Sequence, residues 1–198
     1  FKDLAWGLAT RGIAVLRYEK RTRVYGPRLI ASPKLAATFT VKEETIDDAL
    51  EAVRRLQAIS EIDRKKIFIL GHSLGGMLIP RIALDGKELT IAGFIIMAGL
   101  TRPLGETFLQ QMTYIFGLDG ELSEEDKKQL EGIKEGLTKI KALRDSDRES
   151  EEKLLNAPPS YWLDLRGYSP SEVVLKVERP LLILQGSRDY QVTTEDFE

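Results

Sequence analysis

The segment Gly71-His72-Ser73-Leu74-Gly75-Gly76 holds the residues best suited to covalent chemistry. It lies between an apolar run, Ile67 to Leu70, and a stretch with helical spacing, Gly75 to Leu84. A serine on a tight strand-to-helix turn stands at the carboxyl edge of a sheet, where its hydroxyl can attack an acyl carbon. The turn closes only if the residues two before and two after are very small, and Gly71 and Gly75 meet that demand. Gly76 would permit close packing of the helix, and the Leu74 N–H at the helix start would face an oxyanion formed at the serine. The bland alternative is a helix-capping serine after a glycine turn. A dinucleotide fingerprint would need glycine where Ser73 stands, and a P-loop would need a Gly-Lys-Ser/Thr tail that is absent.

A second signal is Pro180-Leu-Leu-Ile-Leu-Gln-Gly-Ser-Arg-Asp189, an apolar strand that ends in a glycine turn followed by an acid. An acid at the carboxyl end of a strand can reach a site on that edge. An isolated aspartate there is more often a turn former or helix cap. His72 adjoins Ser73, but adjacent residues at such a turn point apart, so it reads as a packing residue and not as a base. It has no second histidine or any cysteine with which to hold a metal.

The elements that position these residues alternate short apolar runs with helical patterns, as in a parallel α/β sheet. Phe1 to Thr10 reads as a helix ended by Gly12, and Ile13 to Leu16 as a strand. Arg17 to Pro33 reads as a basic, solvated loop; its arginines and tyrosines fit a nucleic-acid patch less well. Glu43 to Ile59 is a strong amphipathic helix, Ala92 to Met97 a further strand, and Pro180 to Gln185 the last. Residues 101–179 break this rhythm, being far longer than an ordinary connection between strands. Leu130, Ile133, Leu137, Ile140 and Leu143 form a helical stripe within a charge-dense stretch, so this part is a folded helical cap over one sheet edge. Its aromatics Phe108, Tyr114, Phe116, Tyr161 and Trp162 are expected to be mostly core, with one or two at the site.

Composition narrows the chemistry. The 198 residues are 42% hydrophobic and 30% charged, with a net charge of −2, which fits a folded domain without a strong nucleic-acid footprint. The absence of cysteine excludes disulfides, thiolate metal sites and a cysteine nucleophile, and a lone histidine leaves little for a zinc or haem site. The longest apolar run, Ile91 to Leu100, is about half a membrane span. The expectation is a cytoplasmic protein with no metal or organic cofactor, no nucleic-acid partner and no membrane span.

The sequence resembles the α/β-hydrolase superfamily, and within it the bacterial EstD-like esterases and the neighbouring acyl-CoA thioester hydrolase and serine aminopeptidase groups. The resemblance rests on Phe1-Lys-Asp-Leu-Ala-Trp-Gly-Leu-Ala, Arg17-Tyr-Glu-Lys-Arg21, Gly71 to Gly76, Tyr161-Trp-Leu-Asp-Leu165 and Leu182 to Val192. It implies an α/β-hydrolase fold, a mainly parallel sheet flanked by helices, with residues 1–100 and 180–198 as a partial core and 101–179 as the cap. It implies Ser73 as nucleophile, Asp189 as triad acid and Leu74 as one oxyanion donor, acting on a small-molecule carboxylic ester. Thioester or aminopeptide cleavage is the alternative; for the latter, Glu106 or Asp164 would have to bind the substrate ammonium. The family's second oxyanion donor and catalytic histidine would fall before Phe1 and after Glu198. The chain is therefore expected to be cut at both ends, inactive alone, and marginal in stability.

Overall fold

Three mostly apolar runs form a parallel sheet that is covered only in part. They are β1 (Phe68–His72), β2 (Gly93–Met97) and β3 (Leu181–Leu184), in the spatial order β1-β2-β3. The computed structural model describes residues 1–198, the side chain of Ile30 excepted. His72 pairs with Met97, and Met97 with Leu184, so the three strands reach their carboxyl ends on one rung. The chain leaving each strand therefore emerges on the same edge of the sheet.

The helices are α1 (Lys2–Ala9), α2 (Arg21–Ala31), α3 (Pro33–Ala37), α4 (Asp47–Gln57), α5 (Leu74–Asp85), α6 (Leu104–Phe116), α7 (Glu124–Ala142), α8 (Pro159–Leu165) and α9 (Pro170–Val173). A π-helical turn, Lys42–Ile46, leads into α4. Helix α5 packs against β1 and β2 and buries Leu78, Ile79 and Ile82 beside Ile46, Leu50 and Val53 of the α4 region and Phe94 of β2. Each such side chain contributes about 1.5–3 kcal/mol of apolar burial. A second cluster, Met77, Ala98, Leu100 and Val192, lies at the carboxyl edge. Leu182, Ile183 and Leu184 of β3 and Phe68 of β1 stay exposed.

Two expectations fail here. Ile13 to Leu16 is not a strand: residues 13–20 are irregular, because a strand exists only as a ladder and this segment finds no partner among the described residues. Arg17 to Pro33 is not simply a loop, since it contains α2, with Pro27 inside it. Tertiary anchors override the local Gly26-Pro27 signal. Arg21 makes a bidentate contact with Asp48, its Nε at 3.0 Å from Oδ2, and the Thr22 hydroxyl donates to Glu44 Oε1 at 3.1 Å.

Between β2 and β3 the chain is helical. Helix α7 begins with a reciprocal cap in which Ser123 Oγ accepts from the Asp126 N–H and Asp126 Oδ2 from the Ser123 N–H. Acids occupy its first turn and Lys139 and Lys141 its last, matching the helix dipole. It lies close to α6 because Gly105 has no side chain; a Cβ there would fall 2.4 Å from Leu137 Cδ2. No helix among the described residues is long and apolar enough to cross a membrane.

Candidate functional site

Ser73 is the single residue between β1 and α5, and its backbone has φ 55° and ψ −119°. A non-glycine residue held there is strained by about 1–3 kcal/mol, which the surroundings must impose. They do so through the ladder: the Ser73 N–H donates to Met97 O at 3.1 Å, the Ala98 N–H to Leu184 O at 2.8 Å, and the Met77 N–H to Ser73 O at 2.9 Å. The half-buried Ser73 side chain makes no capping hydrogen bond. Its backbone is also outside the extended region usual for a capping serine. The helix-cap reading therefore fails, and the hydroxyl is left uncommitted. The N–H groups of Leu74 and Gly75, in the first turn of α5, have no acceptor among the described residues. Such a turn favours negative charge.

The glycines divide differently from expectation. A Cβ on Gly71 would lie 2.3 Å from the Gly75 carbonyl oxygen and 2.8 Å from Gly76 N, so the turn closes directly against Gly71. A Cβ on Gly76 would lie 2.9 Å from Gly99 Cα, so the helix start touches the chain leaving β2. A Cβ on Gly75 would meet nothing within 4 Å. The requirement for a tiny residue two positions after the serine is not steric crowding at that residue's own Cβ.

Asp189 follows β3 and so emerges on the same edge as Ser73, with β2 between them. Two strand spacings, roughly 10 Å, separate the strands that carry them. Nothing bonds the two side chains together. Asp189 Oδ1 accepts from the N–H groups of Gln191 (2.9 Å) and Val192 (3.1 Å), a turn-forming role, while Oδ2 takes no hydrogen bond from the described residues. The turn is fastened to the rest of the edge. Val192 is buried beside Met77 and Leu100, the Gln111 amide donates to Gln191 O at 2.8 Å, and Tyr190 stacks on Tyr114 of α6 at 4.8 Å. His72 is exposed and packs edge-on against Phe1 with ring centroids 5.0 Å apart.

Sequence reasoning missed Asp196 and Arg102. Asp196 Oδ1 accepts from Thr101 N (2.9 Å), Thr101 Oγ1 (3.1 Å) and Arg102 N (3.2 Å), and Oδ2 from Arg102 at 2.6 Å. This pair clips the segment after Asp189 to the segment after β2. Burial pushes the Asp196 carboxyl up, but the Arg102 guanidinium and the two backbone N–H groups outweigh it and hold the carboxyl below its usual range. A carboxyl depressed in the folded state adds stability above its unfolded pKa and loses it as pH falls through the folded value. Asp196→Asn is therefore expected to lower the melting temperature at pH 7, with a loss of about 3 kcal/mol of stability, the low end for breaking a buried charged pair because Arg102 is partly exposed. The gap to wild type should close below pH 4 in a melting series from pH 7 to 2.

The remaining candidates are sorted by their contacts. Glu106 pairs with the exposed Lys141 on the surface at 3.1 Å, and Asp164 is held by both terminal nitrogens of Arg81 at 3.2 Å. Of the aromatics, Phe108, Tyr161 and Trp162 line a cavity of about 310 Å³, whereas Tyr114 lies on Tyr190. The same cavity holds a carboxylate that sequence reasoning passed over, Glu44. Its signal was only its place in an otherwise solvated helix face. Among the described residues no cluster of three or more acids or histidines is placed to hold a metal ion.

Residues 2–197 match the model of the alpha/beta hydrolase family. The chain is also similar to a protein of Thermotoga maritima named Esterase EstD, with 38% identity over all 198 residues. The chain spans 43% of the length of that relative.

Proposed function

This chain belongs to the alpha/beta hydrolase family, and on that premise we propose that it carries the nucleophile half of a serine esterase. One observation carries the reading. The Ser73 hydroxyl, free of any capping bond, stands on a left-handed turn at the start of α5, beside backbone N–H groups that have no other acceptor. Ser73 Oγ attacks the acyl carbon of a carboxylic ester as its proton passes to a base, and the Leu74 N–H donates one hydrogen bond to the resulting oxyanion. The alcohol leaves, and water releases the acid from the acyl-serine. The helical segment 101–179 serves as a cap over the carboxyl edge, with residues 1–100 and 180–198 as the core. That the similar Thermotoga maritima protein is named an esterase supports an ester as the bond cleaved.

Asp189 serves as the acid that orients the base, through its unoccupied Oδ2. The base is an imidazole from outside these 198 residues, because the one histidine, His72, is turned to Phe1. The gap of two strand spacings between Ser73 and Asp189 accommodates a ring bridging serine and acid.

Labelling with a fluorophosphonate tests the reading. The complete natural protein is expected to be modified at Ser73 and nowhere else, and the isolated 198-residue chain to label at the slow rate of an unactivated serine. Undiminished labelling of a Ser73→Ala protein would overturn the assignment of the nucleophile. Rapid labelling of the isolated chain would overturn the assignment of the base.

A further inference from the structure

The cavity under α6 and α8 has an unusual composition. Phe39, Leu104, Phe108 and Trp162 give it apolar walls, and a carboxylate, Glu44, stands among them. Leu104 of its wall and Leu74, the residue after Ser73, both pack against the same two buried clusters. The Glu44 side chain is 11% exposed. It is presented by the π-helical turn Lys42–Ile46 that leads into α4.

A carboxylate in such a setting needs charge compensation. Glu44 has little from the protein. Its hydrogen-bond donors are two neutral hydroxyls, Tyr161 to Oε2 at 2.7 Å and Thr22 to Oε1 at 3.1 Å. The only cation paired with it among the described residues is Lys20, 3.7 Å away and 51% exposed, which is beyond hydrogen-bond length and free to swing into solvent. A carboxylate has about four acceptor positions, so at least one remains open. Meanwhile the polar groups of the aromatic walls are already used. The Trp162 ring N–H donates to Leu154 O at 2.8 Å and Tyr161 OH donates to Glu44, which leaves these rings only their faces and edges to offer. Aromatic faces and a partly desolvated carboxylate attract the same kind of guest, an organic cation.

We infer that this cavity is a substrate subsite for an ammonium group borne on an apolar or aromatic body, with Glu44 as the group that recognises the charge. Its role as a substrate subsite rests on the serine-esterase reading above, and it makes the substrate an ester carrying an amine. Lys20 is the intramolecular rival of the ligand for Glu44.

Binding and turnover separate the two readings. In the complete natural protein carrying Ser73→Ala, calorimetry with phenethylammonium, 2-phenylethanol and phenylacetate compares a cation, a neutral isostere and an anion. The cation is expected to bind about ten-fold more tightly than the alcohol, and the anion more weakly than either. Glu44→Gln should bring the cation down to the affinity of the alcohol and leave the alcohol unchanged. Lys20→Ala should tighten the cation alone, an effect opposite in sign to that of a structural lesion. Equal affinities for cation and alcohol would overturn the inference, as would a Lys20→Ala protein with unchanged cation affinity should Glu44→Gln fail to fold. Hydrolysis of p-nitrophenyl acetate by the wild-type protein reports on the nucleophile independently. Turnover without cation preference overturns the subsite alone. Cation binding without turnover sustains the subsite as a binding site and overturns its place in an esterase.

Discussion

Ser73→Ala in the complete natural protein is expected to reduce ester turnover by about a million-fold, the scale of loss on removing an activated serine nucleophile. The fold should not suffer. The Ser73 hydroxyl makes no hydrogen bond that alanine would break, and the residue is only half-buried. Ser73→Gly carries the point further. With φ at 55° the backbone is in a region that favours glycine, so this substitution should stabilise the protein by about 1 kcal/mol while abolishing activity just as fully. Urea midpoints and p-nitrophenyl ester rates on the two variants check both halves. A structural serine gives the reverse pattern, with stability falling and rate little changed. A residue whose replacement by glycine raises stability and removes activity is strained for a purpose.

The sheet was legible because parallel strands announce themselves as apolar runs, and Phe68 to Leu70, Gly93 to Met97 and Leu181 to Leu184 all do so. The elbow was legible for a different reason. A left-handed serine between strand and helix needs glycine at a fixed offset, and that need survives as a local pattern. What was not legible depends on partners remote in sequence. Ile13 to Leu16 has the composition of a strand, but composition does not supply a neighbour to pair with. Arg21 and Thr22 hold α2 in place through Asp48 and Glu44, contacts across more than twenty residues that no local window includes. Asp196 and Arg102 lie farther apart still, and neither sits in a motif. Glu44 was hidden for the most general reason. A single acid in a charged helical sequence is normally solvated, and residues remote in sequence, Phe108, Tyr161 and Trp162 among them, enclose it.

The glycines of the elbow support a second large effect, and its two halves point in opposite directions. Gly71→Ala is expected to cost about 3 kcal/mol, at the upper end of overpacking penalties. The added methyl carbon would lie 2.3 Å from the Gly75 carbonyl oxygen and 2.5 Å from its carbon, and both are backbone atoms. No side chain can rotate away; the turn itself must open, and with it the angle between β1 and α5. Activity should fall with the fold, since the Ser73 hydroxyl and the Leu74 N–H are placed by that turn. Gly75→Ala should do the opposite to stability. Its Cβ would enter open space, and alanine is favoured over glycine in a helix by about 1 kcal/mol. The open space beside Gly75 is also the space in which the proposed substrate would meet the oxyanion N–H groups. Gly75→Ala is therefore expected to melt higher than wild type yet turn over bulky esters more slowly than p-nitrophenyl acetate. If Gly75→Ala destabilises as much as Gly71→Ala, the glycine pair acts through turn closure at both positions. If it melts higher and loses bulky substrates, the first glycine serves the backbone and the second serves the ligand.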